Sequence, residues 1–270
     1  FFRQYFFAMD REELPFNRAQ RSWVARAAKN IDSTLAFGST KPLNRPGDIF
    51  FLNSGFPPTA EEIAAHTPDP IIFGDGHVRH PYTAPSFFNI SAMSYGALSG
   101  PAVSALSAGA YQSGIWLNTG EGGLSPFHQT APCDLVFQIG TAKYGVRDKD
   151  GSLDSAKVSE LAANAAVKMF EIKLSQGAKP GKGGILPGEK VTEIIANTRG
   201  IPVGQDSISP NRHPDVTDAE SLLDLIAKVR KASGKPTGIK FVVGQTHWLE
   251  DLFAAIHARG ISSAPDFFTL

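Results

Sequence analysis

The feature that most limits the fold of this chain is the alternation of short apolar runs with helical patterns after residue 85. The apolar runs are 86–93, 114–118, 135–139, 169–174, 238–243 and 266–270. Each run has the length of a buried strand, and most are followed by a stretch in which apolar residues recur every three or four positions. Strands that alternate with helices form parallel βα units whose sheet is covered by the helices. The pattern therefore predicts an α/β fold.

Several helix boundaries are also marked in the sequence. Helices are predicted over 17–30, 155–168, a segment that ends at Gly234, and 248–259. The helix before Gly234 is expected to begin with a capping box, because Thr217 and Glu220 have the required spacing.

The residues that follow the strands favour one α/β architecture. Glycine and polar residues come after nearly every predicted strand, as in SAMSYG, NTGEGG and QIGTAKYG. A TIM barrel assembles its active site from all of these loops, whereas a doubly wound sheet usually carries G-x-G-x-x-G after its first strand, and SAMSYGAL does not match. We predict a (β/α)8 TIM barrel over 86–270, truncated after about six strands. Residues 1–85 are predicted to be an irregular and helical N-terminal segment that packs on the barrel.

Composition limits the partners. The chain has 270 residues, no formal net charge and a pI near 7.2, which argues against a nucleic-acid binder with a strongly basic face. Cys133 is the only cysteine, so no intrachain disulfide and no cysteine-rich metal or iron–sulfur site is expected from this chain. The histidines lack the helical spacing of a zinc pair, so no metal site is predicted.

The sequence shows no targeting segment. No apolar run approaches the roughly 20 residues that span a bilayer, and the aromatic first residues lack a small-residue cleavage site. We expect a cytoplasmic protein. Because the chain begins with Phe1, an upstream membrane anchor in a longer protein is left open.

Two lysines lie within apolar strands. Lys173 occurs in FEIKLS and Lys240 in GIKFVV. Both faces of a parallel strand are buried, and an unpaired buried ammonium group is costly. Each lysine is therefore predicted to point into the barrel mouth toward an anionic or carbonyl-rich partner. The alternative is a salt bridge to an internal carboxylate such as Glu171 or Glu121.

Other polar residues lie where strands end. NTGEGG contains Thr119 and Glu121, and its glycines would let the backbone approach a flat or anionic ligand, although the segment also fits a tight turn with a solvated carboxylate. The side-chain amide of Gln138 could form a hydrogen bond with a ring edge, or it could be satisfied by neighbours inside the barrel. The stretch KLSQGAKPGKGGILPGEK, 173–190, is either a solvated loop or a loop that holds an anion.

The segments ISAMSYGALS, LNTGEGG, FQIGTAKYGV, IKLSQGAKPGKGGILPGEKV and ISPNRHPD resemble the FMN-binding synthase domain of the glutamate synthase family. They occur in that family's order over about two-thirds of the chain. The N-terminal segment resembles stand-alone, glutamate synthase-like FMN proteins. The resemblance implies an FMN-type barrel and an oxidoreductase acting on CH–NH2 donors, in which reduced FMN gives a hydride to 2-iminoglutarate, formed from 2-oxoglutarate and ammonia, to make L-glutamate.

The resemblance also implies roles for individual residues. The residues that would contact FMN are Ala92, Met93, Ser94, Thr119, Gln138 and Lys240, and those that would hold the substrate are Glu121, Lys173, Gln176 and Lys179. Lys240 would stand near the flavin N1–C2 carbonyl and stabilise the anionic reduced flavin. Lys240 and Glu121 are the candidate catalytic residues.

The chain departs from the family in several ways. No amidotransferase domain precedes the barrel, no iron–sulfur cysteines are encoded, and the glycine-rich loop for the FMN phosphate would follow strands beyond the predicted six. The expected partners are a 2-oxoglutarate-like small molecule, an electron-donor or amidotransferase protein, and another copy of the chain. Two alternatives stay open: an FMN barrel oxidoreductase for another small keto or imino acid, and a non-catalytic binding module built on an incomplete barrel.

Overall fold

The fold was analysed in a computed structural model that describes residues 18–31, 54–66, 69–176, 181 and 183–270. The chain divides into two units, Phe1–Thr67 and Pro68–Leu270. In the first unit, helix α1 spans Arg18–Ala27, within three residues of the helix predicted over 17–30. Helix α2 spans Ala60–Ala65 and begins with a capping box, in which the Thr59 hydroxyl accepts from the backbone of Glu62.

Of the described elements, the second unit contains every strand and five longer helices. Its strands are β1 (Ile71–Phe73), β2 (Tyr82–Ala84), β3 (Leu117–Asn118), β4 (Leu135–Ile139), β5 (Val167–Lys173), β6 (Ile185–Leu186), β7 (Ser207–Ile208), β8 (Thr237–Lys240) and β9 (Phe268–Thr269). Its helices are α3 (Gly100–Ser113), α4 (Ser155–Ala163), α5 (Glu193–Arg199), α6 (Ala219–Ser233) and α7 (His247–Arg259). Short 3-10 turns occur at Pro126–Gln129, Gly188–Lys190 and Ile261–Ser263.

The central sheet confirms the predicted parallel βα order. Strands β3, β4, β5, β8 and β9 pair in that order, every pair is parallel, and the sheet curls into a half-barrel. Within the described residues, five strands form this sheet rather than six. The first predicted strand is reduced to a bridge between Ile90 and Leu117, although the Asn118 amide still donates to the Ile90 carbonyl. The architecture matches an incomplete TIM-like barrel.

Side chains alternate between the two faces of this sheet. Phe137, Phe170 and Ile239 are fully buried in the main core, which also contains side chains of α4, α6 and α7. Val136 and Met169, one residue before Phe137 and Phe170, belong to a second cluster with residues of the β1–β2 hairpin. Because alternate residues of a strand face opposite ways, the second cluster lies inside the half-barrel near the start of its strands. Polar residues fill the interior farther along.

Two helix boundaries differ from the prediction. Helix α4 ends at Ala163, five residues early, because Asn164 leaves the helical conformation and its side chain accepts from the Ala166 amide. Such an Asx turn competes with the helix for the backbone donor. The box predicted from Thr217 and Glu220 is wrong by one residue, since helix α6 is capped by Asp218.

Candidate active site

A cavity of about 280 Å³ lies where the strands of the half-barrel end. Six residues that the sequence assigned to the site line it: Ala92, Ser94, Glu121, Gln138, Lys173 and Gln176. They come from the loop after Ile90, the loop after β3, strand β4, and the end of β5 with its following loop. The loops that follow parallel strands lie at one end of a barrel, which explains why residues far apart in the sequence meet here.

Glu121 is the centre of the polar contacts in this cavity. The Lys173 ammonium donates to Glu121 Oε2 at 2.9 Å, and Gln176 Nε2 donates to Oε1 at 2.5 Å. The Lys173 and Glu121 side chains are only 19% and 20% exposed, respectively. Lys173 thus points into the barrel mouth, and its partner is the internal carboxylate that the alternative interpretation named. Both partners still line the cavity, so a ligand could reach this pair.

Glycines make room for this cluster. A Cβ on Gly184 would lie 2.6 Å from Gln176 Nε2 and 2.9 Å from Glu121 Oε1. Gly120 adopts a left-handed φ of 67°, and a Cβ there would lie 2.7 Å from the Ser94 backbone nitrogen. A side chain at either position would force neighbouring atoms to move. The glycines of NTGEGG and of the 173–190 stretch therefore allow close packing around Glu121.

Arg199 also lines the cavity, and the sequence analysis did not single it out. Its guanidinium donates to the Ser207 hydroxyl at 2.8 Å and to the Tyr95 carbonyl at 3.4 Å, and it lies 5.2 Å from the centre of the Tyr144 ring. Burial lowers its pKa. Within the described residues it forms no ion pair with a carboxylate. A buried cation whose hydrogen-bond partners are all neutral, beside a cavity, is suited to an anionic ligand.

Lys240 lines a neighbouring cavity of about 310 Å³, to which Ala92 also contributes. It lies beside Lys173 in the register of β5 and β8. Within the described residues, the Lys240 ammonium has neither an ion pair nor a hydrogen bond. The structure therefore places the two strand lysines in adjacent cavities with different surroundings.

Met93 and Thr119 support the site from behind. Thr119 is fully buried. Its hydroxyl donates to the Gly120 carbonyl and accepts from the backbone N–H of Gln138. The Met93 carbonyl accepts from His128 Nε2 at 2.8 Å. His128 is fully buried in the 3-10 turn, and no sequence motif identifies it. Lys179, the remaining predicted substrate residue, lies outside the described residues.

The ISPNRHPD segment packs on the end of β5. His213 Nε2 lies 2.9 Å from the Lys173 carbonyl, which can only accept, so this nitrogen carries the proton. Nδ1 of the same ring is buried without a partner in the described part of the chain. Burial, together with the charge of Lys143, lowers the pKa of His213. The neutral ring fixes the backbone of the residue whose side chain pairs with Glu121.

Comparison with known proteins decides the family. A family model described as the conserved region in glutamate synthase matches residues 60–261, most of the chain. The chain belongs to the glutamate synthase family. The match includes strands β3, β4, β5 and β8 of the half-barrel and every described residue of the cavity around Glu121.

Other members of the glutamate synthase family align with much of the chain. The glutamate synthase large subunit-like protein YerD of Bacillus subtilis is 32% identical over 304 aligned residues, covering 99% of this chain and 57% of the relative. A large subunit-like protein of Rhizobium meliloti is 31% identical over 86% of this chain and 50% of its own length. An archaeal-type glutamate synthase (NADPH) of Thermotoga maritima is 42% identical over 56% of this chain and 27% of its own. The chain spans about half the length of the large subunit-like relatives.

The residues around the two cavities fit the flavin that the glutamate synthase family implies. Ala92, shared by both cavities, and Ser94 are small enough to lie against a flat ring. Gln138 Oε1 is a buried acceptor without a partner in the described residues, and an isoalloxazine ring carries an imide N–H. Lys240 supplies a positive charge nearby.

Among the described residues, no group of three or more His, Cys, Asp or Glu could hold a metal ion. No described helix is long and apolar enough to cross a membrane.

Proposed function

We propose that this glutamate synthase family chain is the synthase domain of an FMN-dependent oxidoreductase that makes L-glutamate from 2-iminoglutarate. The observation that supports this most is the cavity around Glu121, where cationic and hydrogen-bonding side chains meet beside small residues. The imine would come from 2-oxoglutarate and ammonia with loss of water. FMN in its reduced form, when bound, would supply the hydride that reduces the imine carbon, and the flavin would be oxidised.

The substrate carries two carboxylates, and the cavity offers two cations. Arg199 has only neutral hydrogen-bond partners, so its guanidinium is available for a carboxylate. Lys173 is paired with Glu121, and a second carboxylate could share its ammonium. Planar guanidinium groups bind carboxylates with two parallel hydrogen bonds. We assign Arg199 to one end of the dicarboxylate and Lys173, with Lys179, to the other.

Glu121 would act on the nitrogen of the substrate, and Gln176 would hold Glu121 in place. The Glu121 carboxylate can accept a hydrogen bond from the imine N–H, and Gln176 and Lys173 fix its two oxygens. Reduction of a C=N bond needs a proton at nitrogen as well as a hydride at carbon. The Lys173 ammonium, held against Glu121, is a proton donor in the wall of the cavity. We assign Glu121 to orient the imine.

Lys240 would complete the flavin side of the site. Its ammonium has no partner in the described residues and lines the cavity next to the one around Glu121. A fixed positive charge in a site with little water stabilises negative charge on a bound ring. Lys240 is therefore assigned to favour the reduced flavin and to hold the ring in place.

The test uses the chain with added FMN, reduced by light without oxygen and mixed with 2-oxoglutarate and ¹⁵N-ammonium. We expect reoxidation of the flavin together with ¹⁵N-labelled L-glutamate, measured by absorbance and mass spectrometry. Arg199→Gln should raise the half-saturating 2-oxoglutarate concentration by about tenfold or more, because a charge-assisted hydrogen bond is lost.

Lys231→Gln is the matched control, since Lys231 is exposed on α6, and it should leave that concentration unchanged. Reoxidation without glutamate would favour another keto or imino acid. Failure to bind FMN at all would contradict the proposal and leave the non-catalytic binding module.

A further inference from the structure

Glu171 lies in the middle of the half-barrel interior, and its carboxylate is almost completely buried, at 2% exposure. It is the fifth residue of β5, with Gln138 of β4 opposite on one side and Gly238 of β8 on the other. No described lysine, arginine or histidine forms an ion pair with it. The carboxylate is instead satisfied by neutral donors.

Three side chains from three strands donate to this carboxylate. Asn118 Nδ2 lies 2.8 Å and Gln138 Nε2 lies 2.6 Å from Oε1, and the Thr269 hydroxyl lies 2.6 Å from Oε2. The orientation of Asn118 is fixed independently, because its Oδ1 accepts from the Gly120 amide at 2.9 Å. An ionised carboxylate can only accept, so both amides must turn their NH2 groups toward it.

The consequence for Gln138 is a carbonyl oxygen with no partner. The residue is 1% exposed, and Oε1 is buried without a hydrogen bond from any described group. Gln138 lines the cavity around Glu121, and its Nε2 is committed to Glu171. Buried acceptors without donors are rare in native structures, and each calls for a physical explanation. A ligand that donates here would supply the missing hydrogen bond.

We propose that Glu171 is a positioning residue, which holds the Gln138 amide so that its carbonyl oxygen faces the cavity and selects a ligand with an N–H donor at that point. The orientation of the amide follows from the contacts of Glu171, whereas the identity of the ligand rests on the proposed function. The donor is either the imide N–H of the flavin or an N–H of the nitrogen-bearing substrate or product.

The orientation can be tested without any ligand. In the wild-type chain, the side-chain NH2 resonances of Gln138 should exchange slowly with solvent in ¹⁵N-edited NMR spectra, because both the residue and its acceptor are buried. The substitution Glu171→Gln introduces a side chain of nearly the same size as glutamate, but with both a donor and an acceptor. It therefore no longer fixes the orientation of the Gln138 side-chain amide. We expect shifted Gln138 signals that exchange at least about tenfold faster. Unchanged signals would overturn the inference.

The two ligand sources are separated by matched probes. One pair is FMN and 3-methyl-FMN, which lacks the imide N–H, and the other is L-glutamate and 2-oxoglutarate, which lacks any N–H. Glu171→Gln should lower the preference for the N–H ligand in one pair by about fivefold to tenfold. The pair whose preference falls identifies the donor. If neither preference changes, the ligand part of the inference is wrong.

Two further variants, one at Gln138 and one control at Glu250, test whether the effect of Glu171 acts through Gln138. Gln138→Met removes the carbonyl oxygen itself and should lower the same preference, and the double variant should add little, because Glu171 is inferred to act through Gln138. Glu250→Gln, at an exposed position of α7, should change nothing. If the wild-type chain fails to bind FMN while the NMR and glutamate results hold, the cofactor assignment fails and the role of Glu171 stands. Additive effects in the double variant would overturn that role.

Discussion

At the scale of single residues, Lys173 and Lys240 show what a strand pattern can and cannot specify. The two lysines are neighbours in the register of β5 and β8, yet one is paired with Glu121 and the other has no partner in the described residues. Strand patterning indicates that both face the interior. It does not indicate which carboxylate reaches which ammonium, because Glu121 lies on a loop whose path depends on the whole barrel.

The sequence was sufficient to identify most of the polar side chains that line the cavity, but it identified neither Arg199 nor His128, which lies behind the cavity. Residues at or just after the carboxyl ends of strands can be assigned to one end of a barrel by pattern alone. This is why Glu121, Gln138 and Lys173 could be predicted as site residues. Arg199 is the last residue of α5, where a basic side chain is common as a partner of the helix dipole and is usually exposed. Its burial depends on Tyr144 and Ser207, which no local pattern connects to it.

The different environments of the lysines lead to a prediction about flavin binding. Lys240→Met should weaken FMN binding by about tenfold or lower the reduction potential of the bound flavin, because a positive charge near the ring is lost. Lys179→Met should have a smaller effect on both, since Lys179 is assigned to the substrate. Fluorescence titration and spectroelectrochemistry measure the two quantities. The opposite order of effects would mean that the two lysines have been misassigned.

At the scale of elements, the order of strands and helices was predictable, whereas their ends were not. Apolar periodicity located all five parallel strands of the described central sheet within three residues at each end, because burial on both faces requires continuous apolar runs. The boundaries of α4 and α6 depend instead on single side chains. Asn164 ends α4 with an Asx turn to the Ala166 amide, and Asp218 rather than Thr217 caps α6.

The start of α6 gives a direct comparison between prediction and structure. The Asp218 carboxylate accepts from the Ser221 amide at 2.8 Å, and the Ser221 hydroxyl accepts from the Asp218 amide at 3.1 Å. Asp218→Ala should therefore lower the midpoint of thermal unfolding by a few degrees. Thr217→Ala should lower it less, because the Thr217 hydroxyl only contacts the Asp218 carboxylate. Thermal unfolding followed by circular dichroism measures both midpoints. Equal shifts in the two variants would contradict the assignment of Asp218 as the cap.

At the scale of the whole molecule, two buried histidines hold loop segments in place around the central sheet. The His128 ring accepts from Ser125 at Nδ1 and donates to the Met93 carbonyl, and His213 donates to the Lys173 carbonyl. Burial is the largest cause of the lowered pKa of each ring, so both are neutral in the folded chain. Protonation of either would place an uncompensated charge in the interior.

These histidines predict that the chain loses stability on mild acidification. Below about pH 6.5, His128 and His213 bind protons in the unfolded chain but stay neutral in the folded chain. Proton binding therefore stabilises the unfolded state relative to the folded state as the pH falls. The stability linked to these rings is fully present above that pH and decreases by up to about 1.4 kcal/mol per pH unit for each histidine. Urea unfolding between pH 7.5 and 5.5 measures the slope, above the range where the lowered pKa of the Asp215 carboxyl adds its own acid dependence.

The slope can be assigned to particular rings by replacing them. Gln at position 128 can still donate to the Met93 carbonyl and accept from Ser125, but it does not titrate, so His128→Gln should flatten the pH dependence even if stability at pH 7.5 falls. His213→Gln should act in the same way. His257, exposed on α7, is the matched control, and His257→Gln should leave the slope unchanged. A slope that survives in the double variant of His128 and His213 would show that other groups govern the acid sensitivity of the barrel.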